Sequence, residues 1–216
     1  MIAEGATLIG PHRIHRSSQI MKGAVIGKPF RGLQTGKYDV TSETAIGRNV
    51  NVGYYSIVGA GTTIGANTIL DDFSVVECEV KIGERNLLIY RAQVCNAARI
   101  GNGCVIGGLV GERTVVGSHC RIFGKIVHSQ SNPLSPWDAE ASEEEAPKFM
   151  DFAFVGFGAI IAGSVTVGFK AYVLAGAVVT KDVPDYHIAY GVNETVHFSK
   201  WPGARLRRSK FFSQKK

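Results

Sequence analysis

Residues 46–106 read IGRNVNVGYYSIVGAGTTIGANTILDDFSVVECEVKIGERNLLIYRAQVCNAARIGNGCVI. Every sixth residue from Ile46 to Ile106 is aliphatic, the residue two places earlier is mostly small, and glycine often follows. A period of six fits neither a helix nor a hairpin sheet with regular turn signals. It fits a short strand and a tight turn, repeated so that coils stack in parallel around an aliphatic interior. We expect the glycine after each aliphatic residue to permit the turn.

The same six-residue spacing of aliphatic residues extends beyond this stretch in both directions. It is found at Leu8, Ile14, Ile20, Ile26, Val110, Val116, Ile122, Val155, Ile161, Val167, Val173 and Val179. After Ile122 the step predicts His128 at the next inward position, and Pro184 ends the pattern. The sequence therefore predicts an all-β parallel β-helix of seven or eight coils over residues 1–184. Residues 27–45 and 129–153 break the step and are predicted to be loops.

Charge and composition exclude several classes of protein. The net charge is +6, and residues 200–216 hold seven basic and no acidic residues, so residues 185–216 form a basic C-terminal tail. Mean hydropathy is +0.07, and no apolar run approaches the roughly 18 residues of a spanning helix. The N-terminus lacks the pattern of a secretory signal, so we expect a cytoplasmic protein without membrane insertion. The four cysteines form no CxxC pair, which favours a packing role.

Two segments carry a resemblance to a known family. Residues 115–133 read VVGSHCRIFGKIVHSQSNP, and residues 154–184 read FVGFGAIIAGSVTVGFKAYVLAGAVVTKDVP. Together with the repeat, these segments resemble the hexapeptide-repeat acetyltransferases, in the branch of the sugar and xenobiotic acetyltransferases. The resemblance implies a left-handed coil, acetyl-CoA as co-substrate without a metal, and a homotrimer with its sites between subunits.

The resemblance also implies a general base. In the family a histidine stands just before an excursion from the coil, and His128 occupies that place. An acceptor hydroxyl or amine must lose a proton as it attacks the thioester, and imidazole accepts protons near neutral pH. His119 is the second candidate for this role.

The remaining site residues follow from the same resemblance. It implies that Phe157, Ala175, Thr180 and Lys181 contact CoA, with Arg205, Arg207 and Arg208 as further candidates for its phosphates. It implies a role for Asn96 at the acceptor. The sequence departs from the family after Pro184, where AYGVNETV replaces the usual proline and glycine segment.

The resemblance favours transfer of an acetyl group to a hydroxyl or amino group of a sugar or nucleotide-sugar by direct attack, without an acyl-enzyme. An antibiotic or other xenobiotic is the alternative acceptor. Two further alternatives are a zinc enzyme like the γ-class carbonic anhydrases and a noncatalytic β-helix scaffold. We expect no nucleic-acid partner, because the aromatic residues of the tail are too few to form a stacking platform.

Overall fold

The chain coils into a three-sided prism of parallel strands. We analysed a computed structural model that describes residues 1–30, 41–128, 134 and 146–213. Each coil crosses the three faces in turn, and the strands of one face pair in parallel register with those of the next coil. We number the faces 1 to 3 in the order in which the chain meets them, and name each edge by the two faces that it joins.

Face 1 has nine strands in the described residues: β1 (Thr7–Leu8), β4 (Val25–Lys28), β7 (Ile57–Gly59), β10 (Val75–Val76), β13 (Gln93–Val94), β16 (Leu109–Val110), β19 (Lys125–Val127), β22 (Ile160–Ala162) and β25 (Val178–Val179). Face 2 has eight: β2 (His12–Ile14), β5 (Thr44–Ile46), β8 (Thr63–Ile64), β11 (Lys81–Ile82), β14 (Arg99–Ile100), β17 (Val115–Val116), β20 (Lys148–Phe149) and β23 (Thr166–Val167). Face 3 has ten: β3 (Gln19–Ile20), β6 (Asn51–Val52), β9 (Ile69–Leu70), β12 (Leu87–Leu88), β15 (Val105–Ile106), β18 (Arg121–Ile122), β21 (Phe154–Val155), β24 (Tyr172–Val173), β26 (His187–Tyr190) and β27 (Glu194–His197).

The aliphatic residue of each repeat fills the interior, as the sequence predicts. The positions from Ile46 to Ile106 are all buried and belong to one core cluster. The small residues two places earlier are buried at the edges. Where such a residue is a threonine, its hydroxyl group can donate a hydrogen bond to a carbonyl group of the next coil. Thr62 Oγ1, for example, donates to Glu77 O at 2.7 Å. Satisfying these hydroxyls offsets the cost of burying them.

The glycines after the aliphatic residues act differently from our expectation. The left-handed turn positions are mostly held by residues such as Asn67 (φ 58°) and Phe73 (φ 60°). The glycines instead allow neighbouring coils to approach closely. A Cβ at Gly65 would lie 2.5 Å from Gly83 O, which is closer than real Cβ contacts.

Two corners on edge 3–1 are shorter than the others on that edge, and this corrects the predicted register. The step from Ile106 to Val110 is four residues, and the step from Ile122 to Ile126 is also four. Ile126 pairs with Val110 and Ile161 and is fully buried. The predicted inward position of His128 is therefore wrong, because Ile126 occupies it and His128 lies two residues further along.

The structure also moves two of the predicted boundaries. Phe149, in a segment predicted to be loop, is a buried inward residue paired with Val116 and Val167. On the other side, β4 and β5 extend into the segment predicted as the first loop. The coil therefore resumes at 148 rather than after 153, and the first excursion is shorter than residues 27–45.

The C-terminal segment continues the prism and then packs against it. β26 pairs in parallel with β24 beyond residue 184, and β27 returns antiparallel to it. A 3₁₀ turn (Phe198–Lys200) and two short helices, α1 (Ala204–Arg207) and α2 (Lys210–Ser213), follow. Phe211 lies edge-on to Tyr172 of face 3, with ring centroids 5.5 Å apart. The tail predicted from residue 185 thus begins with coil structure and ends as a cover over face 3.

Candidate functional site

Five residues form a column along edge 1–2. Each follows an inward residue of face 1 by two places, and those inward residues, Val94, Val110, Ile126, Ile161 and Val179, are paired in register on successive coils. Successive coils are about 4.8 Å apart. The edge 1–2 column consists of Asn96, Glu112, His128, Gly163 and Lys181. Three residues predicted separately from the sequence therefore share one edge.

His128 stands where the chain leaves the coil. It follows β19 directly and is half-buried. On the next coil, the N–H of Gly163 donates to Val127 O at 3.1 Å. A Cβ at Gly163, whose φ is 97°, would have no atom of the described residues within 4 Å. The described part of the chain therefore leaves the column open on the side of His128 that faces Gly163.

Glu112 is the residue that the sequence analysis missed. Because Val110 pairs with Ile126, Glu112 lies one coil before His128, at a backbone separation of about 4.8 Å. A carboxylate beside an imidazole can hold one tautomer and stabilise the protonated ring. The missed signal is the four-residue step from Ile122 to Ile126, which sets Glu112 and His128 sixteen residues apart in equivalent positions.

Asn96 lies on the same edge, two coils before His128, but its side chain is committed to the fold. It is 6% exposed, and its Oδ1 accepts a hydrogen bond from Cys78 N–H at 3.0 Å. Its own N–H donates to Glu77 Oε2 at 3.1 Å. These bonds stabilise the edge and engage the side-chain oxygen of Asn96 within the fold.

Thr180 and Lys181 lie on edge 1–2 of the last coil and are exposed. Asn193 supports this corner, because Thr180 N–H donates to Asn193 Oδ1 at 2.7 Å and Asn193 Nδ2 donates to Thr180 Oγ1 at 2.8 Å. Lys181 is two coils beyond His128, or about 10 Å along the prism axis. Asn193 belongs to the segment after Pro184 in which the sequence departs from the family. Its two hydrogen bonds with Thr180 stabilise this corner.

Phe157 and Ala175 lie on edge 3–1, on the opposite side of face 1. Phe157 is 63% exposed and its ring stacks on Phe123 at 4.6 Å. The two corners are joined where Gly176 N–H donates to Phe157 O at 3.0 Å. The residues predicted to contact CoA are thus divided between the two edges that border face 1.

His119 lies on edge 2–3, away from the column. It is exposed, and its ring stacks on Phe152 with centroids 4.9 Å apart. A Cβ at Gly103 would lie 2.7 Å from His119 Nδ1, so the ring covers the preceding corner. These contacts give His119 a packing role on a different edge from His128.

The described residues contain no group of three or more His, Cys, Asp or Glu side chains placed to hold a metal ion. They also contain no helix that is both long and apolar enough to cross a membrane. Cys78 is one of the buried side chains of edge 1–2, and burial raises the pKa of its thiol to about 11.

Comparisons with known proteins identify relatives along most of the chain. No protein-family model matches it. The bifunctional protein GlmU of Synechococcus elongatus is 27% identical over 205 residues, which are 89% of this chain and 43% of the relative. The serine acetyltransferase of Bacillus pumilus is 35% identical over 82 residues, covering 38% of this chain and 37% of the relative. The chain spans less than half the length of these curated relatives.

A solved structure supports the fold. The crystal structure of a UDP-N-acetylglucosamine acyltransferase superposes with a TM-score of 0.68 at 17% identity, covering 90% of this chain and 72% of the other. The predicted all-β fold, a left-handed parallel β-helix, is confirmed. The relatives and the shared fold are consistent with the predicted resemblance to the hexapeptide-repeat acetyltransferases.

Proposed function

We propose that this chain is a CoA-dependent acyltransferase that moves an acetyl group from acetyl-CoA to a hydroxyl or amino group of a sugar or nucleotide-sugar. The observation that carries the proposal is the edge 1–2 column. It sets a histidine at the point where the coil ends, beside a carboxylate on one coil and open space on the next. The serine acetyltransferase relative supports the reaction class, and the resemblance of the sequence supports the sugar acceptor.

In this proposal His128 acts as the general base. The imidazole takes the proton of the acceptor as the acceptor attacks the thioester carbon, so that no charged ammonium or oxonium group accumulates. Glu112 acts through His128 by orienting the ring and stabilising its protonated form. The C–S bond of the thioester then breaks, the protonated His128 returns its proton to the sulfur, and CoA leaves as the thiol without a covalent enzyme intermediate.

A backbone N–H polarises the thioester oxygen in this mechanism. The N–H of Gly163 is engaged with Val127 O and is not available for that task. The role of Gly163 is instead to leave room, because any side chain there would project into the open side of the column. The acetyl group is therefore proposed to lie between His128 and Gly163.

The long CoA molecule is proposed to lie along face 1, whose last coils are bordered by both sets of predicted contacts. Lys181 offers a cation at about 10 Å from His128 along the axis, suited to a phosphate. Arg205, Arg207 and Arg208 are exposed and provide further positive charge. The outward residues of faces 1 and 3 are largely apolar, which favours their burial between subunits of the proposed homotrimer.

Acceptor-dependent release of thiol from acetyl-CoA tests the proposed function. We expect release with at least one member of a panel of sugars, amino sugars and nucleotide-sugars, and slow background release without an acceptor. Release only with hydroxylated antibiotics would replace the sugar acceptor by a xenobiotic. If no acceptor gives release and the chain does not bind acetyl-CoA, the scaffold alternative replaces the enzyme.

Glu112→Gln tests the positioning role of its carboxylate. We expect kcat to fall about tenfold with an unchanged KM for acetyl-CoA, because the amide cannot stabilise the protonated ring. Glu112→Asp separates this role from a structural one, because it keeps a carboxylate and should recover part of the lost kcat. An unchanged kcat in Glu112→Gln would remove Glu112 from the mechanism.

A further inference from the structure

The three faces of the prism differ in their outward residues. Face 1 presents mainly apolar residues, such as Ile57, Val75, Leu109, Ile160 and Val178, beside the cation Lys125. Face 3 likewise presents mainly apolar residues, such as Ile69, Leu87, Val105, Phe154 and Tyr172, beside the cation Arg121. Face 2 presents four cations, of which two lie on adjacent strands: Arg13, Lys81, Arg99 and Lys148. Apolar faces favour contact with protein, whereas a cationic face is stable in water and available to ligands.

Lys81 and Arg99 are direct neighbours on face 2. They are partners in register on β11 and β14, about 4.8 Å apart along the axis, and both are exposed. Like charges placed directly opposite on neighbouring strands destabilise a sheet. Neither side chain forms an ion pair or hydrogen bond with another residue of the described ranges, in contrast to Arg13, which pairs with Glu43 at 3.0 Å. Within the described ranges, the pair of cations is therefore uncompensated by acidic side chains.

A depression adjoins the two cations. It has a volume of about 400 Å³, and its lining includes Lys81, Gly83, Arg99, Gly101 and Asn102. The floor beside the cations is formed by the backbone of the two glycines and by Asn102, whose Oδ1 lies where a Cβ of Gly83 would project. Asn102 is held in place because its Oδ1 accepts a hydrogen bond from Glu84 N–H at 2.8 Å. The space is large enough for a small ligand and lies next to unpaired positive charge.

We propose that Lys81 and Arg99 bind the phosphate groups of a small ligand on face 2, at a site separate from the edge 1–2 column. The Arg99 guanidinium presents paired donors to phosphate oxygens, and the Lys81 ammonium adds a point charge on the neighbouring coil. Two adjacent cations match a diphosphate. A long polyanion fits less well, because Lys148 is two coils beyond Arg99 and the uncharged Val115 lies between them.

Equilibrium dialysis with UDP, inorganic pyrophosphate and inorganic phosphate tests this proposal on the full chain. We expect wild type to bind pyrophosphate, and both Lys81→Gln and Arg99→Gln to lose at least tenfold in affinity. Lys125→Gln is the matched control, because Lys125 is an exposed strand lysine that points outward from face 1. Tighter binding of UDP than of pyrophosphate identifies a nucleotide ligand, and equal binding identifies the phosphates alone as the recognised group.

Thermal unfolding provides a second measurement on the same variants. Lys81→Gln should unfold at a slightly higher temperature than wild type without phosphate, because the repulsion is removed. Pyrophosphate should stabilise wild type and Lys125→Gln but not Lys81→Gln. The proposal is wrong if no probe binds wild type, if all variants bind alike, or if the control loses as much affinity. Thiol release from acetyl-CoA is a separate measurement from these, so the proposed function would stand or fall separately.

Discussion

His128→Ala is expected to lower kcat for acceptor-dependent thiol release by about 10² or more, within the 10² to 10⁴ typical of a general base. Without the imidazole, the acceptor must lose its proton to water during attack. The affinity for acetyl-CoA should be unchanged, because the proposed CoA contacts are elsewhere on face 1. Steady-state thiol release and equilibrium binding of acetyl-CoA measure the two quantities.

The control for this variant is His12→Ala. His12 is an exposed histidine on face 2, with Nδ1 3.0 Å from Gly10 O, and its loss should leave kcat within about twofold of wild type. His119→Ala distinguishes the second candidate base. Full activity in His128→Ala together with a large loss in His119→Ala would move the chemistry to edge 2–3 and contradict the edge 1–2 column.

Gly108→Ala is expected to lower the free energy of unfolding by about 3 kcal/mol, at the upper end of typical overpacking costs. A Cβ there would lie 1.9 Å from Gly124 O, which belongs to the backbone of the next coil and cannot rotate away. A loss of this size should lower Tm by roughly 10 °C in a chain of this length. Circular dichroism during thermal unfolding measures the change.

Gly107→Ala provides a matched comparison at the neighbouring position. Its Cβ would lie 2.5 Å from Ile89 Cδ1 and 2.8 Å from Phe123 Cδ1, and both atoms belong to side chains that can shift. We expect a loss of about 1 kcal/mol or less. Equal stability of the two variants would contradict the tight packing of the shortened corners.

The repeat made most of the fold predictable, because a period of six leaves few alternatives to stacked coils. The same period also produced the error at His128. Inward residues can be recognised by their aliphatic character, but a corner can lose two residues without any loss of hydrophobicity. Gly107 and Gly108 in one coil and Phe123 and Gly124 in the next mark the short corners. Their glycines resemble those of ordinary turns, so the change of register has no distinctive signal.

The candidate site was only partly predictable for a related reason. The resemblance pointed to His128 from its place before an excursion, and this required no register. Glu112 carries no motif, and its nearness to His128 follows only from the pairing of Val110 with Ile126. Asn96 was predicted from its place on the coil, but its contacts with Cys78 and Glu77 depend on neighbouring coils. The residues of the edge 1–2 column can therefore be assigned only from the pairing of coils. The six-residue pattern alone gives the wrong register after Ile122.

A crystal structure of this chain with bound CoA tests the proposed acyl-transfer site most directly. The account predicts that the thiol sulfur lies on edge 1–2 beside His128, in the open space next to Gly163, with CoA phosphates toward Lys181. Near-attack geometry requires the reacting groups to approach within about 3–3.5 Å when an acetyl group and an acceptor are added. A sulfur bound on edge 2–3 beside His119, or on face 3, would contradict the account.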